Sequence, residues 1–244
     1  MTSLKFRVIA ALCTLGLGHA AQAGVIVAWN AQPANTSLSS ATSSTIDANL
    51  SAPVVLSLGS GFSPTSYAGS STFGGYATVD TSAGLASAIS NRTYWEFTIS
   101  PAAGYQVQID SLVVPAKYNG QAGLYVWQGS PPSTINLARS TDSYASSLGA
   151  TSPTAHGDDA ADWTLTLNSP LTISTAETFR VAISENYAYK TVGLQPDNYW
   201  DPALLRNALE INGTVTIVPE PSSLVLLGLG SLGLCFVARR RNCG

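Results

Sequence analysis

Few side chains of this chain are suited to nucleophilic or acid–base chemistry. Between residues 24 and 218 there is one histidine, His156, and no cysteine. The sequence lacks the serine-nucleophile elbow, the zinc-protease motif, the phosphate-binding loop and the dinucleotide fingerprint. A Ser-His-Asp triad would have to use His156, whose loop-like surroundings favour a solvated histidine instead. We therefore predict that the protein is not an enzyme.

Three carboxylates lie close together in the sequence and are candidates for a metal site. Asp158, Asp159 and Asp162 would supply the oxygen ligands that calcium prefers. Their spacing does not follow the Asp-x-Asp-x-Asp-Gly order of a calcium loop, and the alternative is a hydrated acidic loop before a strand. The prediction is that the protein needs no cofactor, with calcium at these three residues as the alternative.

A second loop-like segment combines aromatic and acidic side chains. Tyr199, Trp200 and Asp201 have the composition of a sugar site, in which a ring stacks on the sugar and polar groups bind its hydroxyls. The alternative is that Trp200 belongs to the core, as tryptophans of β-sandwiches usually do. A glycan hydrolase would also need two carboxyl groups about 5 to 9.5 Å apart across a cleft. The scattered acids of the chain neither identify nor exclude such a pair.

Alternating apolar and polar residues recur along the chain and predict about eight β-strands. The apolar positions are Val25, Val27, Trp29; Val54, Leu56, Leu58; Trp95, Phe97, Ile99; Tyr105, Val107, Ile109; the shorter run Leu124–Trp127; Trp163, Leu165, Leu167; Phe179, Val181, Ile183; and Leu209, Ile211, Val215, Ile217. One buried and one solvated face is typical of antiparallel sheets. Two such sheets must stack to hide their apolar faces. The fold is therefore predicted to be all-β, an antiparallel β-sandwich or jelly roll.

Glycine, proline and serine mark the connections between these runs. Pro101–Gly104 predicts a hairpin loop, and Gly213 predicts a β-bulge. Helical signals are limited to Ala83–Ile89 and one turn at Pro202–Asn207. The segment 35–90 is rich in serine and threonine, and its only charged residues are Asp47 and Asp80. Disorder is one interpretation of this composition, but an embedded strand and several aromatic residues favour an ordered, loop-rich flank of the sandwich.

The charged residues are few and unevenly placed. They make up 10% of the chain, against about 25% in ordinary soluble domains. Between residues 24 and 218, six basic residues stand against thirteen acidic ones, which gives a net charge of −7. A mildly acidic domain without a basic stripe argues against nucleic acid as a partner.

The N-terminal segment has the three parts of a secretory signal peptide. Basic residues precede the apolar stretch Val8–Leu17, and Ala21 and Ala23 supply the small residues that signal peptidase requires before Gly24. The alternative is a membrane anchor, for which the apolar run is too short. We predict that the segment 1–23 is removed and that the mature chain begins at Gly24.

The C-terminal segment contains three parts in a fixed order. Pro219, Glu220 and Pro221 precede the uncharged apolar run Ser222–Ala238, which is followed by Arg239, Arg240 and Arg241. As a helix the run would extend about 25 Å, near the lower limit for a transmembrane helix. The arginines would then lie on the cytoplasmic side, and the prolines would keep the tripeptide extended outside the membrane.

This tail resembles the PEP-CTERM sorting signal of Gram-negative bacteria, and the resemblance covers Pro219–Gly244. It implies recognition by an exosortase, an integral-membrane cysteine transpeptidase, and processing near Pro219–Pro221. It also implies delivery to the cell surface or to an extracellular polysaccharide matrix. The alternative is a plain single-pass membrane anchor. The final residues after the arginines extend beyond the usual end of such tails and leave the motif intact.

The predicted organisation is a signal peptide at 1–23, a β-sandwich domain at 24–218 with a Ser/Thr-rich flank at 35–90, and the sorting signal at 219–244. The predicted function is that of an exported, exosortase-sorted, non-enzymatic surface or matrix protein associated with exopolysaccharide or biofilm. The alternatives are a carbohydrate-binding module and a secreted glycan hydrolase. The predicted partners are exosortase, signal peptidase, the inner membrane through the C-terminal helix, and polysaccharide.

Overall fold

The computed structural model describes residues 23–30, 37–38, 40–63, 72–77, 84–120, 134–151, 161–184, 190–194, 207–218 and 230. The strands in this part of the chain are β1 (Gly24–Asn30), β2 (Ser37–Leu38), β3 (Ser40–Thr42), β4 (Thr45–Ile46), β5 (Val55–Leu58), β6 (Phe62–Ser63), β7 (Thr72–Ala77), β8 (Tyr94–Ile99), β9 (Tyr105–Gly120), β10 (Thr134–Arg139), β11 (Gly149–Thr151), β12 (Ala161–Ile173), β13 (Glu177–Ser184), β14 (Lys190–Leu194) and β15 (Asn207–Ile217). Among the described residues, helical structure is limited to α1 (Leu85–Ser90), a 3-10 turn at Ser140–Asp142 and the single residue Gly230. The predicted all-β class is confirmed.

The larger of two sheets is organised around β9. Its strand order is β2-β7-β14-β9-β15-β1-β4, with β12 also paired to β9 and β6 to β7. All of these pairs are antiparallel except the two-residue pair of β2 with β7. The first half of β9 lies between β15 and β12, and its second half pairs with β14. The 16 residues of β9 therefore connect three partners that are distant in sequence.

The smaller sheet contains six strands in the order β11-β10-β13-β8-β5-β3. Every described pair in it is antiparallel. Its centre is formed by β13 and β8, whose aligned pairs include Phe179 with Phe97 and Arg180 with Glu96. Because side chains alternate between the two faces of a strand, the phenylalanines point to one side of the sheet. Arg180 and Glu96 share the other side.

A single apolar core joins the two sheets. The Trp29 ring of β1 lies 5.6 Å from the Phe97 ring of β8, and the Trp29 indole N–H donates a hydrogen bond to the Val54 carbonyl oxygen at 3.1 Å. The predicted apolar residues that are buried in this core include Val27, Trp29, Val54, Leu56, Trp95, Phe97, Ile99, Val107, Ile109, Leu165, Leu167, Phe179, Val181, Ile183, Leu209 and Ile211. Truncation of one such large side chain typically costs about 2 to 5 kcal/mol.

The segment Pro101–Gly104 is not a hairpin loop, and this prediction was wrong. It connects β8 of the smaller sheet to β9 of the larger sheet, which do not pair with each other. The Tyr105 amide donates to the Ala102 carbonyl oxygen at 3.0 Å, and Gly104 has a φ of +81°. The turn chemistry was therefore identified correctly. Which strands pair on either side of a turn depends on distant residues.

The irregularity predicted at Gly213 is present, but the extra residues lie on the neighbouring strands. Asp110 of β9 is the additional residue opposite the Asn212–Gly213 step of β15, and Ile26 of β1 is the additional residue opposite the preceding step, Ile211–Asn212. The insertion in β1 changes which of its side chains face the core. Ile26 is buried, whereas Val25, predicted to face inward, is 43% exposed. A bulge shifts the alternation by one residue, and periodicity alone cannot locate it.

Several other predictions need correction or fall outside the described residues. The helix predicted at Ala83–Ile89 is seen at Leu85–Ser90. Asn207, predicted to end a helical turn, begins β15, while residues 202–206 and the run 124–127 lie outside the described part. The described residues of the Ser/Thr-rich flank contain β2 to β7, which supports the ordered interpretation for those residues.

At two further strand ends the alternation does not match burial. Ile217, predicted to lie on the apolar face, is 68% exposed because it extends past the core. Ala182, predicted to lie on the solvated face, is buried because α1 packs on it. Within the described residues no helix is long and apolar enough to cross a membrane.

Candidate functional site

Most residues that the sequence singled out for ligand chemistry lie outside the described part of the chain. This applies to His156, Asp158 and Asp159, and to the segment Tyr199–Asp201. Asp162 lies in β12 opposite Pro115. The described residues contain no group of three His, Cys, Asp or Glu that could hold a metal ion.

The residues next to the two predicted processing sites are described. Gly24, the predicted mature N-terminus, begins β1, and Ala23 before it is exposed. At the other end β15 finishes at Ile217, and the Val218 amide donates to the Gly104 carbonyl oxygen at 2.8 Å. Ala21 and the sorting tripeptide Pro219–Pro221 lie outside the described residues.

The two chain ends leave the fold at the same end of the larger sheet. β1 and β15 are antiparallel neighbours, and Gly24 is aligned with Gly213. Antiparallel pairing places the start of one strand beside the finish of the other. The site predicted for signal peptidase and the start of the sorting tail therefore lie on the same side of the body.

The final residues of β15 are held less firmly than the rest of the strand. From Glu210 to Gly213, β15 is paired with β1 on one side and β9 on the other. Beyond it, Thr214–Ile217 pair only with β9 among the described strands. Burial decreases in the same direction, from Ile211 at 0% exposure through the half-buried Val215 to Ile217 at 68%.

A polar cluster occupies the outer face of the smaller sheet. Arg180 donates from Nε to Glu96 Oε2 at 2.7 Å. Its guanidinium carbon also lies 4.2 Å from the centroid of the Tyr94 ring and 3.8 Å from that of the Tyr144 ring. We call Tyr94, Glu96, Tyr144 and Arg180 the Arg180 cluster. Both tyrosine rings are in contact with a cation, which restricts their availability for stacking on a ligand.

The backbone around Tyr144 is in a left-handed conformation. Ser143 and Tyr144 have φ values of +58° and +60°, which is uncommon for residues with a side chain. Burial raises the pKa of the Tyr144 hydroxyl above its ordinary value of 10.0, and the Arg180 guanidinium opposes this rise. Nearby, a hydrogen bond from the Ser146 hydroxyl lowers the pKa of Asp142 below 3.8. These contacts fix the turn against the sheet.

A hollow of about 330 Å³ lies beside the Arg180 cluster. Its lining residues are Ala52, Pro53, Val55, Ser57, Glu96, Phe97, Thr98 and Ser100. Three hydroxyl groups and one carboxylate could hydrogen-bond to a polar ligand. Glu96 is the only carboxylate among these lining residues and is engaged with Arg180.

The sequence did not indicate the Arg180 cluster. Glu96 and Arg180 are both at polar positions of alternating strands, but 84 residues separate them. Opposite charges on two strand faces are a weak signal, since their meeting depends on which strands pair and in which register. The sequence did not indicate the left-handed backbone conformation of Tyr144 either.

The fold and the chain ends define a class: an all-β body whose last strand leads directly into a C-terminal tail. A family model of the PEP-CTERM protein-sorting motif matches residues 218–241 of this tail. The resemblance found from the sequence is thus confirmed, and the chain carries a PEP-CTERM motif that begins at the residue after β15. The motif indicates an exported protein that is processed by an exosortase. No curated protein and no solved structure is significantly similar to the chain.

Proposed function

We propose that this protein is a non-enzymatic surface or matrix protein of a Gram-negative bacterium. The segment 1–23 would direct export and be removed before Gly24. The two-sheet body would remain outside the inner membrane, and the tail would be processed near Pro219–Pro221. The observation that carries this proposal is the match to the PEP-CTERM motif at residues 218–241, directly after the last strand.

The tail has the physical features that such sorting needs. Residues 222–238 carry no charge and would form a short transmembrane helix, and Arg239–Arg241 would fix its cytoplasmic end. Glu220 is the only charged residue between Glu210 and Arg239. It would be presented at a fixed depth above the membrane, between two prolines that cannot join the helix.

The body fits a structural or adhesive role better than catalysis. We interpret its two sheets as a β-sandwich because one core joins them. Among the described residues that line the hollow on the smaller sheet, Glu96 is the single carboxylate and is already paired with Arg180, whereas glycoside hydrolysis uses two. A low-charge, Ser/Thr-rich chain also suits a hydrated polysaccharide matrix, where biofilm association would occur.

The sorting proposal is tested by changing the tripeptide in hosts with and without an exosortase. In the exosortase-positive host, Glu220→Ala and Pro221→Ala should leave a larger, membrane-retained precursor. Glu210→Gln, which alters the nearest upstream acid, is the control and should be processed normally. If all three variants and the wild type keep an intact tail at the same location, the protein is a single-pass anchor and the proposal fails.

Export is tested separately by the mass of the N-terminus of the exported chain. The expected mature N-terminus is Gly24, because Ala21 and Ala23 satisfy signal peptidase. A chain that retains Met1 in the extracytoplasmic fraction would contradict the proposed export.

Carbohydrate binding is the second candidate function, and the hydroxyl-lined hollow favours it. Ser57, Thr98 and Ser100 could bind sugar hydroxyls beside the apolar Val55. A glycan array and a hydrolysis screen on residues 24–218 separate the alternatives. Saturable binding that is lost in Thr98→Val but kept in Thr164→Val, an exposed threonine on β12, would support a binding module. Turnover of a glycan would support a hydrolase.

A further inference from the structure

The folded body and the sorting motif are not separated by a spacer. β15 pairs with β9 through its last residue, Ile217, which is aligned with Tyr105. The next amide, that of Val218, donates to Gly104. The motif match begins at this same residue. Pro219, the first residue of the tripeptide, therefore follows directly after a residue whose backbone is hydrogen-bonded to the body.

A membrane enzyme that acts on this motif needs access to extended chain on both sides of the tripeptide. Enzymes and domains that recognise extended peptides commonly contact alternate side chains and the backbone of several residues. Here the residues on the N-terminal side have their backbone engaged with β9. The turn that contains Gly104 lies immediately beside them. With β15 fully paired, the body would block that side.

The cost of separating β15 from the sheet changes abruptly along the strand. Among the described strands, Thr214–Ile217 are paired with β9 alone, and the side chain at the end of this segment is mostly exposed. At Gly213 the strand becomes paired on both sides, and a side chain there would collide with the Gln108 carbonyl oxygen. Ile211, two residues earlier, is fully buried. Separation that starts at the C-terminal end should therefore stop at Gly213.

We propose that Thr214–Val218 act as a releasable linker, which separates from β9 and gives the exosortase access to the tripeptide. This inference rests on the proposed sorting function of the tail. Five released residues would add about 17 Å of extended chain. Leu209 and Ile211, the fully buried apolar residues of β15, would stay in place, so the body would remain folded while the tail is processed.

A disulfide across the end of β15 tests this proposal in the full-length chain. Val218 and Gly104 are joined by a backbone hydrogen bond and therefore form a hydrogen-bonded pair of the antiparallel ladder. Because hydrogen-bonded and non-hydrogen-bonded pairs alternate, the neighbouring pair, Ile217 and Tyr105, is non-hydrogen-bonded. Cα atoms of such pairs are about 4.5 Å apart, within the range that a disulfide spans. The variant is Ile217→Cys with Tyr105→Cys, made in a chain with Cys235→Ser and Cys243→Ser. Thiol labelling confirms that the bond has formed.

In an exosortase-positive host, the crosslinked chain should be processed at least about tenfold more slowly than the unlinked parent, a difference of about 1.4 kcal/mol in activation free energy. Insertion of Gly-Ser-Gly-Ser-Gly between Val218 and Pro219 of the crosslinked chain should restore the processing rate of the unlinked parent. Each single cysteine variant should be processed normally. The control crosslink is Ser111→Cys with Thr166→Cys, an aligned pair on β9 and β12, and it should have no effect.

The results distinguish failure of this inference from failure of the sorting function on which it rests. If the parent is processed and the crosslinked chain is processed equally fast, release of β15 is not needed and the inference is overturned. Slow processing that the inserted linker does not restore also overturns it. A parent chain whose tail stays intact in hosts with and without the exosortase would overturn the proposed sorting function and, with it, this inference.

Discussion

The end of β15 and the outer face of the smaller sheet are held in opposite ways. On the smaller sheet, Arg180 combines an ion pair with two ring contacts, and a turn with two left-handed residues packs against it. At the end of β15, the last residues are paired on one side only among the described strands, and Ile217 is mostly exposed.

The comparison shows that the firmly held residues and the residues next to the sorting motif lie in different parts of the body. The Arg180 cluster joins segments that are more than 80 residues apart in sequence. The end of β15 is adjacent to a motif that must reach a membrane enzyme. Local stability in a protein is generally uneven, and low-stability segments tend to be those that move in function. Measurements on the purified region 24–218 can compare the two places directly.

The largest contrast is expected between two isoleucines of β15. Ile211→Ala removes a fully buried side chain and should lower the free energy of unfolding by about 2 to 5 kcal/mol. Ile217→Ala removes an exposed one and should change it by less than about 0.5 kcal/mol. Urea unfolding followed by circular dichroism measures both. Equal losses would show that the end of the strand is as firmly held as its middle.

A second contrast uses two glycines that face each other across β1 and β15. A side chain at Gly213 would meet the Gln108 carbonyl oxygen, whereas one at Gly24 would meet nothing within 4 Å. Gly213→Ala should therefore destabilise the body by about 1 to 3 kcal/mol, the usual cost of overpacking. Gly24→Ala should be neutral. A neutral Gly213→Ala would mean that the boundary of the releasable segment is not where we place it.

On the smaller sheet, Arg180→Ala should lower the unfolding free energy by about 1 to 2 kcal/mol. The ion pair is partly solvated, with side-chain exposures of 20% and 34%, so most of the loss should come from the ring contacts. Arg180→Lys keeps the charge but loses the planar group, and should recover only part of the stability. Full recovery in the lysine variant would assign the effect to charge alone.

The smallest effect is expected from pH. Burial raises the pKa of Tyr144 above 10.0, so the folded protein keeps this proton when the unfolded chain has begun to lose it. This contribution to stability is complete below pH 10 and is lost as pH rises through the higher pKa of the folded state. Tyr144→Phe should therefore weaken the loss of stability above pH 10. An unchanged alkaline profile would contradict this account of the cluster.

The sequence by itself determined the class of structure and the presence of the sorting motif. The tripeptide, the apolar run and the arginines are contiguous, so the sorting motif could be identified without a fold. Alternation is also a local property. It correctly placed the core-facing residues of β8, β13 and the first part of β15, such as Trp95, Phe179 and Ile211.

Only the tertiary structure decided which strands pair and where the regular pattern breaks. Pro101–Gly104 has the composition of a hairpin loop but crosses between sheets, and the bulges next to Gly213 lie on its partners. Arg180 meets Glu96 because β13 pairs with β8 in one particular register. Strand pairing and register depend on burying the apolar faces of segments that are distant in sequence. A short stretch of sequence therefore does not determine them.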